Sequence, residues 1–581
     1  MTTSQKPTDL SRRKFMALAG GTAGLAAMAA MGVFPDREAY SANIPKIDIN
    51  KMSYTENEVD VLVIGGGMAG LFAAVKAHDA GSNVMLVSKG RLGSSGQTPF
   101  AKGIFAFDSS SAKMSLDEFL DTVSRSALGT NNPVYTRQMA EHSLARVNEH
   151  KQWGFFESPL YNKSFNNPVK EKNIPVKERI VITHLIKEKG RISGAAGFSL
   201  DEEKVHFFKT KSVILCTGAG GFKPNGFPIC DLTHDGTVMA YNIGAKVTGK
   251  EWNDGHPGQS KNAAACFDGW HGMFERKPSV NGVDVHHDLG VDQNYKAYMT
   301  GNPIKMSPPG TGGSKAVEGG PYVPDEFKRN GQPHGEGGGS PGGPPKDGGA
   351  PPGMAGTLVG GSSAGMSIHK SEGLVPINDK CESTIPGLYA AGDALGSYMA
   401  GAIYTQIGSS LAGSAVQGAV AGKAASEYCQ GVDMPEISKA KMKEIKTEIL
   451  TPLTREAGYS PAWVTQTLQG VMIPNFIIYI KKENLLKAAL AYVEELRDHH
   501  VPMIRAADLH ELRLAFETAN MILSAEMKLK ASLMRKESRC SHYRLDFPEM
   551  DTKNWNAWIN VYKGSDGSMK LEKQPFGSWP T

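Results

Sequence analysis

The first regular pattern along the chain is a short apolar run, then a glycine-rich turn, then a helix. Residues 59–64 have the pattern of a buried strand, Gly65 opens a helix that continues to about residue 80, and residues 83–88 form the next strand. Strand, helix and strand in this order predict the start of a doubly wound parallel sheet, and therefore an α/β fold.

The pattern changes from mixed to helical at about residue 430. Before that point helical periodicity covers 115–150, a small β region is predicted at 180–185 and 190–199, and an apolar strand at 212–216 precedes a glycine-rich turn. Residues 387–393 have the pattern of a strand followed by a turn. The last 40 residues contain three tryptophans and are expected to form a packed tail. Further helices are predicted at 408–428, 436–450, 460–470, 482–498 and 505–535.

Residues 305–356 are dominated by glycine and proline. Such a composition cannot bury enough apolar surface to form a core. We interpret this stretch as a flexible insert or the edge of a lid on the surface.

The N-terminus resembles a targeting segment. Arg12 and Arg13 precede an apolar, Ala/Gly-rich stretch over 17–34, and small residues follow near 39–42. An Arg-Arg pair in this setting predicts a twin-arginine signal peptide over 1–42, export by that machinery and a periplasmic location. An uncleaved membrane anchor and a chance basic start are the alternatives. No other stretch is long and apolar enough to span a bilayer.

Charge and cysteine content exclude several classes of function. Lys+Arg is 63 and Asp+Glu is 59, a net charge of +4, which argues against a nucleic-acid partner. The six cysteines include no C-x-x-C pair and no C-x-x-C-H haem site, so zinc, iron–sulfur and c-type haem are unsupported and no metal is predicted. We expect mostly buried thiols that act as small hydrophobes.

The turn after the first strand carries the G-x-G-x-x-G pattern at Gly65, Gly67 and Gly70. Glycines permit a tight turn and a close approach of the backbone to a pyrophosphate, and the helix N-terminus supplies N–H donors. The second strand ends in Ser88 and Lys89 instead of the acidic residue that binds the ribose of NAD. This weakens an NAD interpretation and leaves the adenosine contact to Ser88 or Lys89.

Five motifs in order, VLVIGGGMAGLFAA, VSKGRLGSSGQTPFAKG, VILCTGAGGF, GLYAAGD and RKESRCSHYRLDFPEMD, resemble the FAD-dependent fumarate reductase/succinate dehydrogenase flavoprotein superfamily. The chain is also similar to the adenylylsulfate reductase flavoprotein subunit and to L-aspartate oxidase. The resemblance implies a Rossmann-like FAD-binding domain with an inserted α+β capping domain and a C-terminal helical domain. The boundaries we predict are 55–256 and 366–430 for the FAD-binding domain, 257–365 for the capping region, 431–545 for the helical domain and 546–581 for the tail.

The same resemblance implies which residues contact FAD. The pyrophosphate turn, the adenosine side, the loop past the isoalloxazine and the helix start near N1 and O2 of the flavin each have a counterpart here. In membrane-bound relatives a His at the place of Gln97 forms the covalent flavin link, so we predict non-covalent FAD. The implied contacts are Gly65, Gly67, Met68, Ala69, Gly70, Ser88, Lys89, Ser94, Ser95, Gly96, Gln97, Thr98, Thr217, Gly218, Gly392, Asp393, Ser409, Ser410 and Leu411.

The substrate side departs from the family. His256 matches a substrate-side histidine, but the segment with the proton-donating arginine is not found, and Tyr404 or Thr405 stands where the substrate arginine is expected. The histidine of the H-H-T-M-G-G element is also missing, with GGSSAG at 360–365 in its place. Because arginine clamps bind dicarboxylates, a less charged or aromatic substrate is predicted, lined by Trp252, His256 and Tyr404.

Four residues are candidates for catalysis: His256, Tyr404, Arg539 and Arg544. His256 as a structural histidine and Tyr404 as a packed core tyrosine are the alternatives. Arg535, Glu537, Arg539, His542 and Arg544 either line the site and supply the missing positive charge or tie the C-terminal helices to the FAD domain through ion pairs.

The resemblance and the signal predict a periplasmic reductase that passes hydride from flavin N5 to an organic acceptor such as an unsaturated acid. Its electrons are expected from a cytochrome c or a quinone-linked protein. A dehydrogenase that works in the reverse direction, and a flavoprotein subunit of a larger electron-transfer complex, are the alternatives.

Overall fold

The computed structural model describes residues 49, 52–100, 104–112, 114–154, 162–223, 229, 231–253, 258–259, 295, 298–300, 358–359, 370–403, 409–473 and 475–578. His256 and Tyr404, the signal segment and the Gly/Pro-rich stretch lie outside these residues. The strands are β1 Ser53–Ile64, β2 Val84–Ser88, β3 Val176–Glu178, β4 Ile180–Glu188, β5 Arg191–Ser199, β6 Lys204–Leu215, β7 Val247–Thr248, β8 Gly258–Gln259, β9 Leu358–Val359, β10 Gly373–Leu374, β11 Leu388–Ala390, β12 Ile480–Lys481, β13 Tyr543–Arg544, β14 Ala557–Lys563 and β15 Met569–Pro575.

Helices cover most of the remaining described chain, and the last long one, α12, is 26 residues in length. They are α1 Met68–Asp79, α2 Ser109–Ala112, α3 Leu116–Ser126, α4 Pro133–Gln152, α5 Asn162–Glu171, α6 Asp235–Asn242, α7 Ser409–Gln430, α8 Lys439–Thr454, α9 Pro461–Met472, α10 Asn475–Ile478, α11 Glu483–Glu495, α12 Leu509–Met534 and α13 Thr552–Trp555.

The main sheet has seven strands in the order β3-β2-β1-β6-β5-β4, and β11 also pairs with β6. On one side, strand β6 pairs with β1 along its whole length. On its other side, the first half of β6 pairs with β5 and the second half pairs with β11. Because β1, β6 and β11 run parallel, they end together at Ile64, Leu215 and Ala390. Ligands of open α/β sheets bind outside such carboxyl ends.

Helices α1 and α7 pack against each other through small residues. A Cβ atom at Gly418 would lie 2.2 Å from the carbonyl oxygen of Ala69, and one at Gly422 would lie 2.4 Å from that of Ala73. Only glycine permits this close approach of the two backbones. The contact holds the N-terminal half of α1 beside α7, so that both helices start near the same edge of the sheet.

The helix predicted over 115–150 is two helices. A capping box at Ser115 and Glu118 starts α3, and the chain turns through positive φ angles of 50° at Leu128 and 73° at Gly129. The side chain of Asn132 then caps α4, which begins with a proline. Leucine rarely adopts a positive φ, so the interruption is invisible to a pattern of apolar positions.

The C-terminal helices enclose a second core that includes Leu468, Leu486, Val493 and Met521. The predicted helix over 482–498 changes at Leu496 into a short π-helical turn that ends at His500. The predicted tail is a β-hairpin, β14–β15, which extends a four-stranded sheet in the order β10-β7-β14-β15. Among the described residues, no helix is long and apolar enough to cross a membrane. The domain boundaries stay predictions.

Candidate cofactor site and buried charge cluster

The turn between β1 and α1 requires glycine at two of its motif positions. Gly65 has a φ of 116°, and a Cβ atom there would lie 2.1 Å from the carbonyl oxygen of Cys216. At Gly70 it would lie 1.8 Å from the carbonyl oxygen of Gly65. Gly67 is the N-cap of α1, and no side chain caps that end, which has no acidic residue in its first turn. The turn therefore fits a pyrophosphate held by backbone N–H groups and the helix dipole.

The loop with Ser95, Gly96, Gln97 and Thr98 lies against the same helix start. The hydroxyl oxygen of Thr98 accepts a hydrogen bond from the backbone N–H of Met68 at 3.2 Å. The N–H of Gly96 donates to the carboxylate of Asp231 at 3.1 Å, and the hydroxyl of Ser95 donates to the carbonyl of Arg91. The loop is thus fixed beside the glycine turn, as a cofactor-lining role requires.

Ser88 and Lys89, at the end of β2, have different environments. Ser88 is buried under the glycine turn, with its hydroxyl oxygen 3.0 Å from where a Cβ at Gly66 would stand. The ammonium of Lys89 lies 2.7 Å from Asp235 and 2.8 Å from Glu517, on α12. Burial lowers the pKa of Lys89, but the two carboxylates outweigh it and the pKa lies above its ordinary value. Lys89 thus joins the sheet to the helical region, and its contact with a ribose stays a prediction.

The turn after β6 presents an unsatisfied polar atom. Within the described part of the chain, no group forms a hydrogen bond to the buried hydroxyl of Thr217. Gly218, which follows it, has a φ of 71°. A buried hydroxyl without a partner is costly in a folded protein unless a ligand satisfies it. This position therefore fits the predicted contact with a cofactor.

The turn after β11 lies beside the start of α1. Gly392 has a φ of 68°, its N–H donates to the side chain of Gln417 at 3.1 Å, and a Cβ there would lie 3.0 Å from that of Ala69. The carboxylate of Asp393 forms a buried ion pair with Lys370. Ser409, Ser410 and Leu411 form the first turn of α7, so the structure brings these predicted cofactor residues to one edge of the sheet.

A group of buried charged side chains, which we call the charge cluster, borders both segments that lead toward His256 and Tyr404. The charge cluster consists of His234, Lys250, Glu251, Glu372, Lys481, Lys528, Arg535, Glu537, Arg539 and His542, all buried.

Glu372 is the acceptor at one end of the charge cluster. Its carboxylate lies 2.6 Å from the ammonium of Lys250, 2.5 Å from that of Lys528 and 3.1 Å from Nδ1 of His234. Burial raises the pKa of Glu372, but the two lysines outweigh it and hold the pKa well below its usual range. Lys528 also donates to the side chain of Asn253, so this ion triad supports the segment that leads to His256.

Lys481 and His542 form a buried pair at the centre of the cluster. The Lys481 Nζ lies 2.8 Å from Nδ1 of His542 and donates to the carbonyl oxygen of Glu251 at 2.6 Å. The short parallel pairing of β12 with β13 brings them together. Burial holds the pKa of each well below its ordinary value, and nearby cations lower both further. In this amine–imidazole pair, burial and the neighbouring cations therefore disfavour the charged form of both groups.

Arg535 connects the cluster to Trp252. Its guanidinium lies 3.0 Å from Glu251, 2.7 Å from Glu537 and 4.7 Å from the centroid of the Trp252 ring. Burial raises the pKa of Glu251, and Arg535 opposes that shift. The hydroxyl of Ser541 donates to the carbonyl of Ala402 at 3.1 Å, which fixes the segment that leads to Tyr404.

Arg539 and Arg544, predicted as catalytic, have carboxylate partners within the chain. Arg539 donates to Glu537 at 2.9 Å and to the carbonyl of Leu128 at 2.9 Å. Arg544 donates to Asp546 at 2.7 Å and to the carbonyl of Ser532 at 2.8 Å. Arg539 thus joins the C-terminal region to the FAD-binding part, as the structural alternative predicted, whereas the partners of Arg544 lie within the C-terminal region itself. A catalytic role of either arginine stays a prediction.

Four buried lysines near the site were not predicted as site residues: Lys250, Lys370, Lys481 and Lys528. Lys481 follows an apolar run, which is a signal in the sequence, whereas Lys528 lies between Glu526 and Lys530 in α12 and does not stand out there. Among the described residues, no group of three His, Cys, Asp or Glu side chains could hold a metal ion.

Two protein-family models match this chain, one in its N-terminal part and one in its C-terminal part. Residues 60–163 match the family model of an FAD binding domain, and residues 465–578 match that of the fumarate reductase flavoprotein C-terminus. The chain is 25% identical over 554 residues to an uncharacterised FAD-dependent oxidoreductase of Methanocaldococcus jannaschii, covering 87% of this chain and 96% of the relative. It is 24% identical over 557 residues to one subunit of the fumarate reductase (CoM/CoB) of Methanothermobacter marburgensis, covering 85% and 95%.

Two solved structures show the same fold. A quinol fumarate reductase of E. coli superimposes with a TM-score of 0.69 at 16% identity, covering 90% of this chain and 97% of that one. The adenylylsulfate reductase of Archaeoglobus fulgidus superimposes with a TM-score of 0.68 at 20% identity, covering 91% and 97%.

Proposed function

Because this chain is an FAD-dependent oxidoreductase of the fumarate reductase/succinate dehydrogenase flavoprotein family, we propose that it is an exported respiratory reductase of an organic acceptor such as an unsaturated acid. The predictions of the family, the α/β fold and the FAD cofactor are confirmed. The acceptor, the direction of electron flow and the export are the proposed part.

The observation that supports a reductase most is the charge cluster beneath the two segments that lead to His256 and Tyr404. When bound, FAD supplies hydride transfer at its N5 atom. Lys481 and His542 form a buried hydrogen-bonded pair that adjoins Glu251, whose segment leads to His256. The guanidinium of Arg535 lies 4.7 Å from the ring centroid of Trp252, and both side chains are fully buried. A reduction needs both a hydride and a proton, and such a buried pair is suited to supply the proton.

The electron donor that we propose is a cytochrome c or a quinone-linked protein outside this chain. Several relatives are named as subunits, including the Methanothermobacter marburgensis and Haemophilus influenzae proteins, which supports a separate donor or a complex. The Arg12-Arg13 pair and the apolar stretch after it support export through the twin-arginine pathway. Replacing both arginines with lysine and locating the protein by cell fractionation tests this point, and a variant that is still exported would contradict it.

A steady-state assay tests the reductase. The purified protein oxidises a reduced viologen dye under anaerobic conditions in the presence of unsaturated acids, aromatic acceptors or oxidised sulfur compounds, and dye bleaching is followed. We expect one class of acceptor to support turnover. If none does, while an artificial oxidant accepts electrons from one of the saturated counterparts, the enzyme is a dehydrogenase. If neither direction proceeds and a partner copurifies at native mass, the chain is an electron-transfer subunit.

A further inference from the structure

A buried lysine lies where the turn after β11 meets the first turn of α7. The Lys370 Nζ is 2.5 Å from the carboxylate of Asp393 and donates to the hydroxyl of Ser410 at 3.3 Å. The two ionic side chains are 0% and 5% exposed. A Cβ at Gly413 would lie 3.0 Å from Cε of Lys370. The methylene stem of the lysine therefore runs along the start of α7, and its ammonium faces Asp393.

Asp393 directly follows Gly392, which lies beside the start of α1, where the glycine turn fits a pyrophosphate. The preceding Gly392 would bring a Cβ to 3.0 Å from that of Ala69, in the first turn of α1. A carboxylate at this place adds a negative charge beside a diphosphate. Like charges repel strongly in a buried site, where the effective dielectric constant is low. Without the lysine, Asp393 would therefore weaken the binding of FAD, and it would oppose the extra negative charge of the reduced flavin.

We propose that Lys370 is the internal counter-ion of the cofactor site, which neutralises Asp393 and thereby determines how tightly FAD binds and how readily the flavin accepts electrons. A backbone feature supports a specific role for the lysine. Lys370 has a φ of 62°, a conformation that is costly for a residue with a side chain and is kept where the surrounding structure requires it. Removing Asp393 together with the lysine removes the need for the counter-ion, so the two residues act as a unit.

A double-mutant cycle tests the proposal with K370M, D393N and K370M/D393N. FAD affinity is measured by fluorescence quenching when each apoprotein is reconstituted, and the midpoint potential by equilibration with a reference dye. We expect K370M to bind FAD about tenfold more weakly or worse, because its buried carboxylate has lost the ammonium of the lysine. Its reduced form should be disfavoured about tenfold relative to the oxidised form, a shift of ~30 mV to lower potential for a two-electron couple.

The double variant decides between a counter-ion and a packing role. We expect K370M/D393N to recover FAD affinity and potential to within about threefold of the D393N protein. Losses in the double variant that equal the sum of the single losses, or a K370M protein with unchanged affinity and potential, would overturn the proposal. Lys380, which is 59% exposed in its ion pair with Glu427, is the matched control, and K380M should change neither quantity.

Should K370M fail to fold, K370R carries the test, because it keeps the charge. We expect K370R to retain affinity and potential within about threefold of the unchanged protein. A folded K370R that loses both would refute the counter-ion role. Since these measurements use FAD and no organic acceptor, a negative result leaves the proposed reductase untouched, and an absent reductase activity leaves Lys370 untouched.

Discussion

Of the carboxylates in the charge cluster, Glu372 is the one whose removal should lower the free energy of unfolding most. Its carboxylate lies 2.6 Å from Lys250 and 2.5 Å from Lys528, and the three side chains are 0–3% exposed. In E372Q both ammonium groups keep their burial but lose the carboxylate. Removing one partner of a buried ion pair typically costs about 3–5 kcal/mol, and two cations are affected here, so we expect a loss of at least ~3 kcal/mol in the free energy of unfolding.

The pH dependence of this loss has a definite sign. Burial already lowers the pKa of Lys250, and Glu372 opposes that shift, so E372Q lowers the pKa further. A lysine whose pKa is lower in the folded than in the unfolded state binds fewer protons when folded, and folding stability then rises with pH. We therefore expect the deficit of E372Q to be largest at mildly acidic to neutral pH and to shrink as pH rises toward the unfolded lysine pKa of about 10.4. It should also shrink below the unfolded glutamate pKa of about 4.3, because the unchanged protein then loses the stability that the depressed pKa of Glu372 provides.

Urea unfolding of the holoprotein, followed by far-UV circular dichroism at several pH values, measures both effects. The matched control is E444Q, because Glu444 forms an exposed pair with Lys441, in which the side chains are 54% and 38% exposed. We expect E444Q to change the unfolding free energy little at any pH. A deficit below ~1 kcal/mol for E372Q at neutral pH, or one that grows as pH rises above neutral, would refute the reasoning.

Three further predictions concern other parts of the molecule. G70A should abolish FAD binding on reconstitution, because the new Cβ would lie 1.8 Å from the Gly65 carbonyl oxygen. A variant that keeps its affinity for FAD would contradict the assignment of the glycine turn to the pyrophosphate. H150F should make the protein less sensitive to acid. Burial lowers the pKa of His150 to about 3, so the folded protein loses stability as pH falls from about 6.5 toward 3, and phenylalanine removes this loss. Urea midpoints are measured at pH 7 and pH 4, and a fall between the two that is equal in both proteins would contradict this. K189G should raise the urea midpoint by the equivalent of about 1 kcal/mol, because the exposed Lys189 has a φ of 50° that glycine adopts without strain; an unchanged or lower midpoint would contradict this.

Local patterns predicted most strands of the main sheet, though not β3, because each depends on residues that are close in sequence. The apolar run before Gly65 became β1, and the glycine turn is followed by α1, as expected. The observed β1 begins at Ser53, earlier than predicted, because its first half consists of exposed and partly buried positions instead of an apolar run. The small-residue segment after 408 became α7, whose glycines permit the close packing on α1.

The charge cluster could not be predicted, because it consists of pairs that are far apart in sequence. Lys250 meets Glu372, Lys528 meets Glu372, and Lys481 meets His542 across separations of 122, 156 and 61 residues. A single lysine in an apolar stretch does not indicate its partner. The C-terminal hairpin was missed for a related reason, since its first strand is completed by β7, more than 300 residues away in the chain.

The central claim is that the flavin of this protein reduces an organic acceptor, and a single-turnover experiment tests it most directly. The flavin of the purified protein is reduced under anaerobic conditions and mixed with the panel of unsaturated acids, aromatic acceptors and oxidised sulfur compounds, and its absorbance is followed in a stopped-flow instrument. We predict rapid reoxidation by one class of compound and slower reoxidation in K481M. Flavin that stays reduced with every acceptor would contradict the reductase, and a purified protein without flavin would contradict the cofactor site as well.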